Sequence, residues 1–276
     1  MTPDATAEAQ PDQRAGLWSA HVAAYEAVFE PLTNRFAEEA LRALALHPGA
    51  RCLDVAAGCG GAALMAARAG AQVLAVDAAE GMAGRIQARA GDLPVSVAVM
   101  DAARLALADG AFDAALSVFG IILCADAQAA LRAMVRSLAP GGQVAVVTWT
   151  EPQNYALIVR LLAAVTAVRG PQPPPPTAPA QLRFAEEAVF RALLASAGLS
   201  RIAVSRLEAD LVAPSASWLA ARLAFAPGLA ALLAAQGGAR EAVLARFVAD
   251  LERDQGTGSV RLGAVAFLGT GRRDGA

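Results

Sequence analysis

Between residues 48 and 150, short apolar runs alternate with helical stretches. The runs at 52–55, 72–76, 94–100, 112–119 and 143–149 show no strict apolar–polar alternation. Such strands are buried on both faces, as in a parallel sheet covered by helices. Helical patterns fill 62–68, 79–90 and 126–138, with Asp126 placed as an N-cap. Gly70, Gly91, Asp109-Gly110 and Pro140-Gly141-Gly142 punctuate the units. The order β-α-β-α-β, then β-α-β, predicts an open α/β sheet with its ligand at the carboxyl ends of the strands.

On either side the pattern changes. Residues 14–46 read as helical, with Trp18, His21, Tyr25, Val28, Phe29 and Leu32 on one face. Pro31 is expected to divide this stretch, with a second piece at 36–46 ending in the turn His47-Pro48-Gly49. Residues 1–13 read as disordered. Downstream, the pattern predicts a helix at 152–168, an extended proline-rich loop at 171–179 and a helix at 185–197. A strand at 201–211, apolar helices at 215–235 and 239–254 split at Pro227, and a strand at 259–268 follow. The chain thus divides into a tail at 1–13, lid helices at 14–47, an α/β core at 48–150, a helical segment at 151–200 and last strands at 201–276. Cap helices at 215–254 interrupt the last part.

Composition narrows the chemistry. The 25 acidic and 23 basic residues form no basic stripe, which argues against nucleic acid as a partner. Every basic residue other than histidine is an arginine. The missing lysine excludes Schiff-base and pyridoxal phosphate chemistry, a P-loop, and the Tyr/Lys pair of many short-chain dehydrogenases. Cys52, Cys59 and Cys124 lack metal-ligand spacing and only His21 and His47 could join them, so no metal site is expected. Unpaired cysteines suit a reducing cytosol, and no secretory leader is read at the N-terminus, so a cytoplasmic location is expected. The most apolar stretch, 218–235, is broken by Arg222 and Pro227-Gly228, so no membrane span is expected.

The chemistry centres on residues 51–65. A buried strand runs into Gly58, Gly60 and Gly61, and a helix follows. Gly58-Cys-Gly60-Gly-Ala-Ala63 fits G-x-G-x-x-A, a loop in which backbone approaches a nucleotide closely and a helix N-terminus faces it. Asp54, Asp77 and Asp101 end successive strands, one strand–helix unit apart. Asp77 has the placement of a ribose-hydroxyl acceptor, about 20 residues beyond the glycines.

In these features the chain resembles class I S-adenosylmethionine-dependent methyltransferases of the small-molecule type (methyltransferase domain 11/25-like). Leu53-Asp-Val-Ala-Ala-Gly-Cys-Gly60 is similar to their first motif, D-x-G-x-G-x-G, with Ala56 in place of the first glycine. Val76-Asp77-Ala-Ala-Glu-Gly-Met82, Asp101-Ala102, Asp109 through Val118, and Leu138-Ala-Pro-Gly-Gly142 resemble the next four, in order. The resemblance implies a doubly wound, seven-stranded Rossmann-like sheet. Its last strand is antiparallel, and a helical cap lies over the carboxyl edge.

The resemblance also implies that S-adenosyl-L-methionine is the cofactor and S-adenosyl-L-homocysteine the product. Asp54 orders the loop or reaches the cofactor amine through water, and the backbone of Ala57, Gly58 and Gly60 meets the methionine part. Asp77 holds the ribose, Met82 packs near the adenine, Asp101 accepts from its amine, and Val118 and Phe119 line the methyl-donor end. Ala56, Ala78 and Ala102 complete this cofactor set.

For the acceptor, Trp18, Phe29, Trp149, Tyr155, Phe184, Trp218, Arg222 and Phe225 are candidate lining residues, an aromatic set suited to an apolar or aromatic molecule. Tyr25 and His21 are the catalytic candidates. The resemblance places Tyr25 beside the methionine end, where an aromatic face near a cation gains about 0.5–2 kcal/mol. His21, one turn earlier, is placed to take a hydroxyl proton, or else simply packs in the lid. The expected function is methyl transfer to a small apolar or aromatic metabolite of secondary metabolism, first to a hydroxyl oxygen with nitrogen and carbon left open, by a monomer or homodimer. An intramolecular displacement on the same cofactor, a nicotinamide-dependent oxidoreductase and an inactive binding module are the alternatives.

Overall fold

In the computed structural model, which describes residues 9–175 and 177–275, seven strands form one sheet. They are β1 (Arg51–Val55), β2 (Gln72–Asp77), β3 (Val95–Val99), β4 (Phe112–Val118), β5 (Leu138–Trp149), β6 (Leu199–Ala213) and β7 (Val260–Arg273). Their order is β3-β2-β1-β4-β5-β7-β6. The first five are mutually parallel, and β7 runs antiparallel to both β5 and β6. The order reverses between β1 and β4, and at such a switch point a crevice opens beyond the carboxyl ends.

Both faces of the central strands β1, β4 and β5 are covered by apolar packing, whereas the edge strands β3, expected to be buried on both faces, and β6 stay largely open. Cys52 packs into one core with Phe36, Phe119 and Trp149, while Leu53 and Val55 join the other with Leu131, Met134 and Phe190. That two-sided burial is why the strands read as continuous apolar runs. The helices that return the chain are α4 (Gly61–Arg68), α5 (Glu80–Ala90), α6 (Ala127–Arg136), α7 (Ala156–Arg169) and α8 (Glu187–Ser196). Asp126 caps α6 by accepting from the Ala129 N–H at 2.8 Å. All three cysteines are free, and Cys52 and Cys59 are buried.

The N-terminal part differs from the expectation. After short turns α1 (Ala15–Trp18) and α2 (Val22–Ala24), residues Tyr25–Phe29 form one π-helical turn, and α3 (Glu30–Leu44) follows. Pro31 does not divide two helices. It follows directly on the π-helical turn, and that local shift of register carries the helix past a residue without an N–H. Nor does disorder extend to residue 13. Residues 1–8 lie outside the described residues, but Pro11–Gln13 form a 3-10 turn. Asp12 holds that turn, its Oδ1 accepting from the Gly228 N–H at 2.6 Å and its carbonyl from Trp18 Nε1 at 2.9 Å. Gln10 also pins the end of the proline-rich stretch, donating to the Ala178 carbonyl and accepting from the Ala180 N–H, both at 2.9 Å.

The β6–β7 hairpin is longer than the pattern predicts. It pairs from Leu199↔Arg273 to Ala213↔Val260, whereas β5 and β7 stop pairing at Trp149↔Ala266. The hairpin therefore projects past the carboxyl edge and carries α9 (Ala216–Ala220), α10 (Pro227–Ala234) and α11 (Arg240–Gln255). The apolar stretch at 215–235 is split as expected at Pro227, which opens α10 at its first position. Among the described residues no helix is long and apolar enough to cross a membrane.

Candidate functional site

At the carboxyl edge of β1 the chain folds into a tight crook. Ala56, Gly58 and Gly60 have φ of 54°, 57° and 87°. Ala56 pays for this conformation, since a left-handed residue with a Cβ costs about 1–2 kcal/mol. Its methyl fits because Gly120 has none: a Cβ there would lie 2.4 Å from the Ala56 Cβ. Asp77 stitches the crook to the end of β2. Its Oδ2 accepts from the Gly58 N–H and its Oδ1 from the Ala79 N–H, both at 2.8 Å. The Ala57 N–H donates to the Val76 carbonyl at 3.0 Å.

Two carboxyls here titrate abnormally. Burial raises Asp54 to about 7, with repulsion from Asp77 adding and the Ala63 N–H partly offsetting. Burial raises Asp77 to about 6 against the pull of the Ala79, Gly58 and Ala78 N–H groups. Asp54 Oδ2 is buried and has no hydrogen-bond partner.

A lid closes over this crook. The Tyr25 phenol lies against Gly58, where a Cβ would come within 3.1 Å of its oxygen. Asn34 sits on Gly61, leaving no room for a Cβ between them. Ser19 Oγ accepts from the Gly81 N–H at 3.0 Å. Ion pairs tie the lid to α5. Arg85 donates to Glu26 at 2.8 and 2.7 Å, and Arg89 to Glu30 at 2.7 and 2.9 Å. Arg89 also donates to the Cys59 carbonyl at 2.8 Å, which joins lid, helix and loop. The cavity that remains between loop and lid is bounded by Tyr25, Glu30, Thr33, Asn34, Asp54 and Val118.

Rings from three regions meet beside the crook. Phe119, buried with φ of 59°, stacks on Trp149 at 4.0 Å, and Trp149 stacks on Tyr155 at 4.7 Å. From the lid, Phe29 stacks on Phe225 of the cap at 4.9 Å and lies 6.0 Å from Trp149. Tyr25 touches both Trp18 and Phe29 edge-on.

The structure thus gathers Tyr25, Asp54, Ala56, Ala57 and Val118 around one cavity, with Gly58, Gly60 and Asp77 shaping its loop. Trp18, Phe29, Phe119, Trp149, Tyr155 and Phe225 form the ring cluster. Several expected members line neither that cavity nor the ring stacks. Asp101 is exposed and caps the turn Ala102–Arg104, accepting from the Ala103 N–H at 2.9 Å. Ala78 is exposed and Ala102 is buried. Met82 is buried under the lid with Cys59, Ala79, Trp18 and Tyr25. Phe184 lies under Arg183, and Trp218 under Arg222, away from the ring cluster's stacks. His21 holds the cap, its Nδ1 lying 2.7 Å from the Ala224 carbonyl. A carbonyl only accepts, so Nδ1 carries the hydrogen and Nε2 of the neutral ring is an acceptor.

Sequence reasoning missed Glu30, Thr33, Asn34, Arg85 and Arg89. A signal existed: Glu26/Glu30 and Arg85/Arg89 share the same i, i+4 spacing, which puts each pair on one helix face. Reading Pro31 as a break hid it.

A family model for a methyltransferase domain matches residues 53–146. Residues 53–146 thus match a methyltransferase domain, and the sheet shares its fold with solved methyltransferases. An uncharacterized protein of Mycobacterium tuberculosis is 34% identical over 129 residues, 46% of each chain. The demethylmenaquinone methyltransferase of Mycolicibacterium vanbaalenii is 32% identical over 122 residues, 41% of this chain and 54% of that protein. The chain thus spans about half the length of the curated relatives it matches. A phosphoethanolamine N-methyltransferase of Haemonchus contortus, solved with S-adenosylhomocysteine, superposes with a TM-score of 0.59 at 16% identity, covering 95% of this chain and 59% of that one.

Methyltransferases of this fold have been solved with S-adenosyl-L-methionine and with S-adenosylhomocysteine. The residues of the crook suit such a cofactor. Asp54 offers a buried carboxyl oxygen that lacks a donor. Asp77 has lone pairs beyond the two backbone hydrogen bonds it accepts.

Proposed function

We propose that this methyltransferase domain transfers a methyl group to a hydroxyl oxygen of a small apolar or aromatic acceptor. One observation carries the reading: the buried, partnerless Asp54 oxygen and the ring cluster lie under one lid, with Val118 and Phe119 between them. When bound, the cofactor would supply an electrophilic methyl group on a sulfonium.

The chain's own residues do the rest. Asp77 holds ribose hydroxyls while keeping the loop closed through Gly58 and Ala79. Asp54 faces the ammonium end. Tyr25 covers the loop and excludes water. The ring cluster aligns the acceptor, and alignment alone contributes up to roughly 7–11 kcal/mol in favourable models. His21, already donating through Nδ1, has Nε2 free to take the acceptor's proton.

Calorimetry with S-adenosylhomocysteine and with NAD(P) tests the cofactor. Binding of NAD(P) alone would sink the reading. Asp77→Ala should weaken S-adenosylhomocysteine binding by about 10- to 150-fold through loss of one or two charged hydrogen bonds. Melting curves run alongside will show how much of that loss comes from the loosened loop. Unchanged affinity would remove Asp77 from the ribose.

A further inference from the structure

Helix α7 is apolar nearly all round. Arg160, Thr166 and Arg169 are the polar residues in Ala-Leu-Ile-Val-Arg-Leu-Leu-Ala-Ala-Val-Thr-Ala-Val-Arg. A helix of that composition belongs in an interior. One face obeys: Leu157, Leu161, Ala164 and Val165 are buried. The opposite face does not. Val159, Leu162, Ala163 and Thr166 are all exposed, Val159 by 43% and Leu162 by 46%. Their i, i+3, i+4, i+7 spacing is that of a packing face, not of a solvated one. No charge interrupts the row. Arg160 beside it turns to α11 and pairs with Asp254.

The row is symmetric about a point between Leu162 and Ala163. A second α7 laid antiparallel across a two-fold axis at that point meets the same row. Val159 then faces the partner's Thr166, and Leu162 the partner's Ala163, whose small side chain lets the helices approach. The same operation sets Arg169 opposite the partner's Ala156. At 1.5 Å per residue each lies about 10 Å from the axis.

The two ends of the row complement each other. Ala156 lines an open groove with Gln153, Asn154, Glu208 and Asp210, between the start of α7 and the projecting β6–β7 hairpin. Both carboxylates are exposed and loosely held, Glu208 at 3.8 Å from Arg206 and Asp210 at 3.4 Å from Arg261. Arg169, at the far end, donates to the Ala235 carbonyl at 3.1 Å and to Gln236 Oε1 at 3.5 Å. Among the described residues no carboxylate pairs with it. Charge pairs at the rim of an interface fix its register more than they tighten it, and the apolar row supplies the attraction.

We propose that this face of α7 is a dimer interface whose occupant is a second copy of this chain, the two helices antiparallel and Arg169 of each copy entering the acidic groove of the other. One helix pair with two end contacts is a small interface, so association belongs at micromolar rather than nanomolar concentrations. The contact is independent of what the glycine loop binds.

Sedimentation velocity of the full chain over about 1–300 µM, a range matched to a weak dimer, tests this. The unmodified chain should dimerise within that range. Leu162→Asp should leave the melting curve unchanged and raise the dimer Kd at least about 30-fold, because the two-fold axis places the change in the interface twice. Val159→Asp repeats this arm if Leu162→Asp melts early. Arg169→Glu and Glu208→Arg should each weaken self-association by about 3- to 10-fold, since each sets like charges together. An equimolar mixture of those two variants should associate as well as the unmodified chain, because the reversed charge at 169 then meets the reversed charge at 208. A chain that stays monomeric throughout, or a dimer that survives both aspartate substitutions, overturns the proposal. A mixture no tighter than its separate variants overturns the antiparallel pairing.

Discussion

The crook from Asp54 to Gly61 and the lid above it are held by different forces. The crook is made of backbone: three left-handed residues, a short apolar strand behind it, and one carboxylate accepting from two N–H groups. The lid is held by long side chains reaching across: Glu26 to Arg85, Glu30 to Arg89, His21 and Asp12 to the cap. Backbone geometry of that kind is rigid and local, whereas exposed ion pairs contribute little each. The crook is therefore fixed locally, and the lid is fixed by side-chain contacts between residues far apart in the chain. The Arg85–Glu26 pair is partly exposed on both sides, but Glu30 is buried in its pair with Arg89.

Arg89 is thus where the two regions are tied most firmly. Arg89→Ala strands the Glu30 carboxylate under the lid and should cost about 2–4 kcal/mol, at or below the range for breaking a buried pair because Arg89 keeps some solvent contact. Hydrogen exchange should rise across residues 22–34 while the amides of β1 keep their protection. Equal loss of protection in both would show that lid and loop open as one unit. Arg85→Ala should do much less.

The next effect is a pH dependence centred on the crook. Asp54 in the folded chain holds its proton up to about 7, against 3.8 ordinarily. Between those values the folded chain binds more protons than the unfolded one, so stability falls as pH rises and levels off above about 7. Asp77, raised to about 6, acts in the same direction. Asp54→Asn should flatten the curve and, at pH 8, gain about 1–3 kcal/mol. Urea unfolding at pH 5 and pH 8 measures this; an Asp54 variant with the same slope would place the titration elsewhere.

Smallest is the strain at Ala56. Ala56→Gly should stabilise by about 0.5–1 kcal/mol, since glycine adopts its φ freely but loses more chain entropy on folding. Denaturant midpoints resolve such a difference. A destabilised variant would mean that the Ala56 methyl gains more from packing than it loses to strain.

Legibility followed the same division. The first five strands, the Asp126 cap and the loop's left-handed glycines could be read because each depends on residues close in sequence. The antiparallel β7 came only from resemblance, since nothing in its own pattern states a direction. Proline blocks a helix interior, so Pro31 reads as a break, and only the structure shows a π-helical turn carrying the helix past it. Phe184, Trp218 and Arg222 share the composition of the ring cluster but not its place. Aromatic character alone does not say which rings meet.

By itself, then, the sequence determined the periodicities, the glycine positions and the ladder of strand-end carboxylates, because backbone dihedrals and burial periods are local properties. Only the tertiary structure decided that Phe29 packs between sheet and cap, that Glu26 and Glu30 meet Arg85 and Arg89, and that the Tyr155 hydroxyl is buried without a partner. Those contacts join residues far apart in the chain, and they follow from how the projecting β6–β7 hairpin and the N-terminal lid come together over one edge of the sheet.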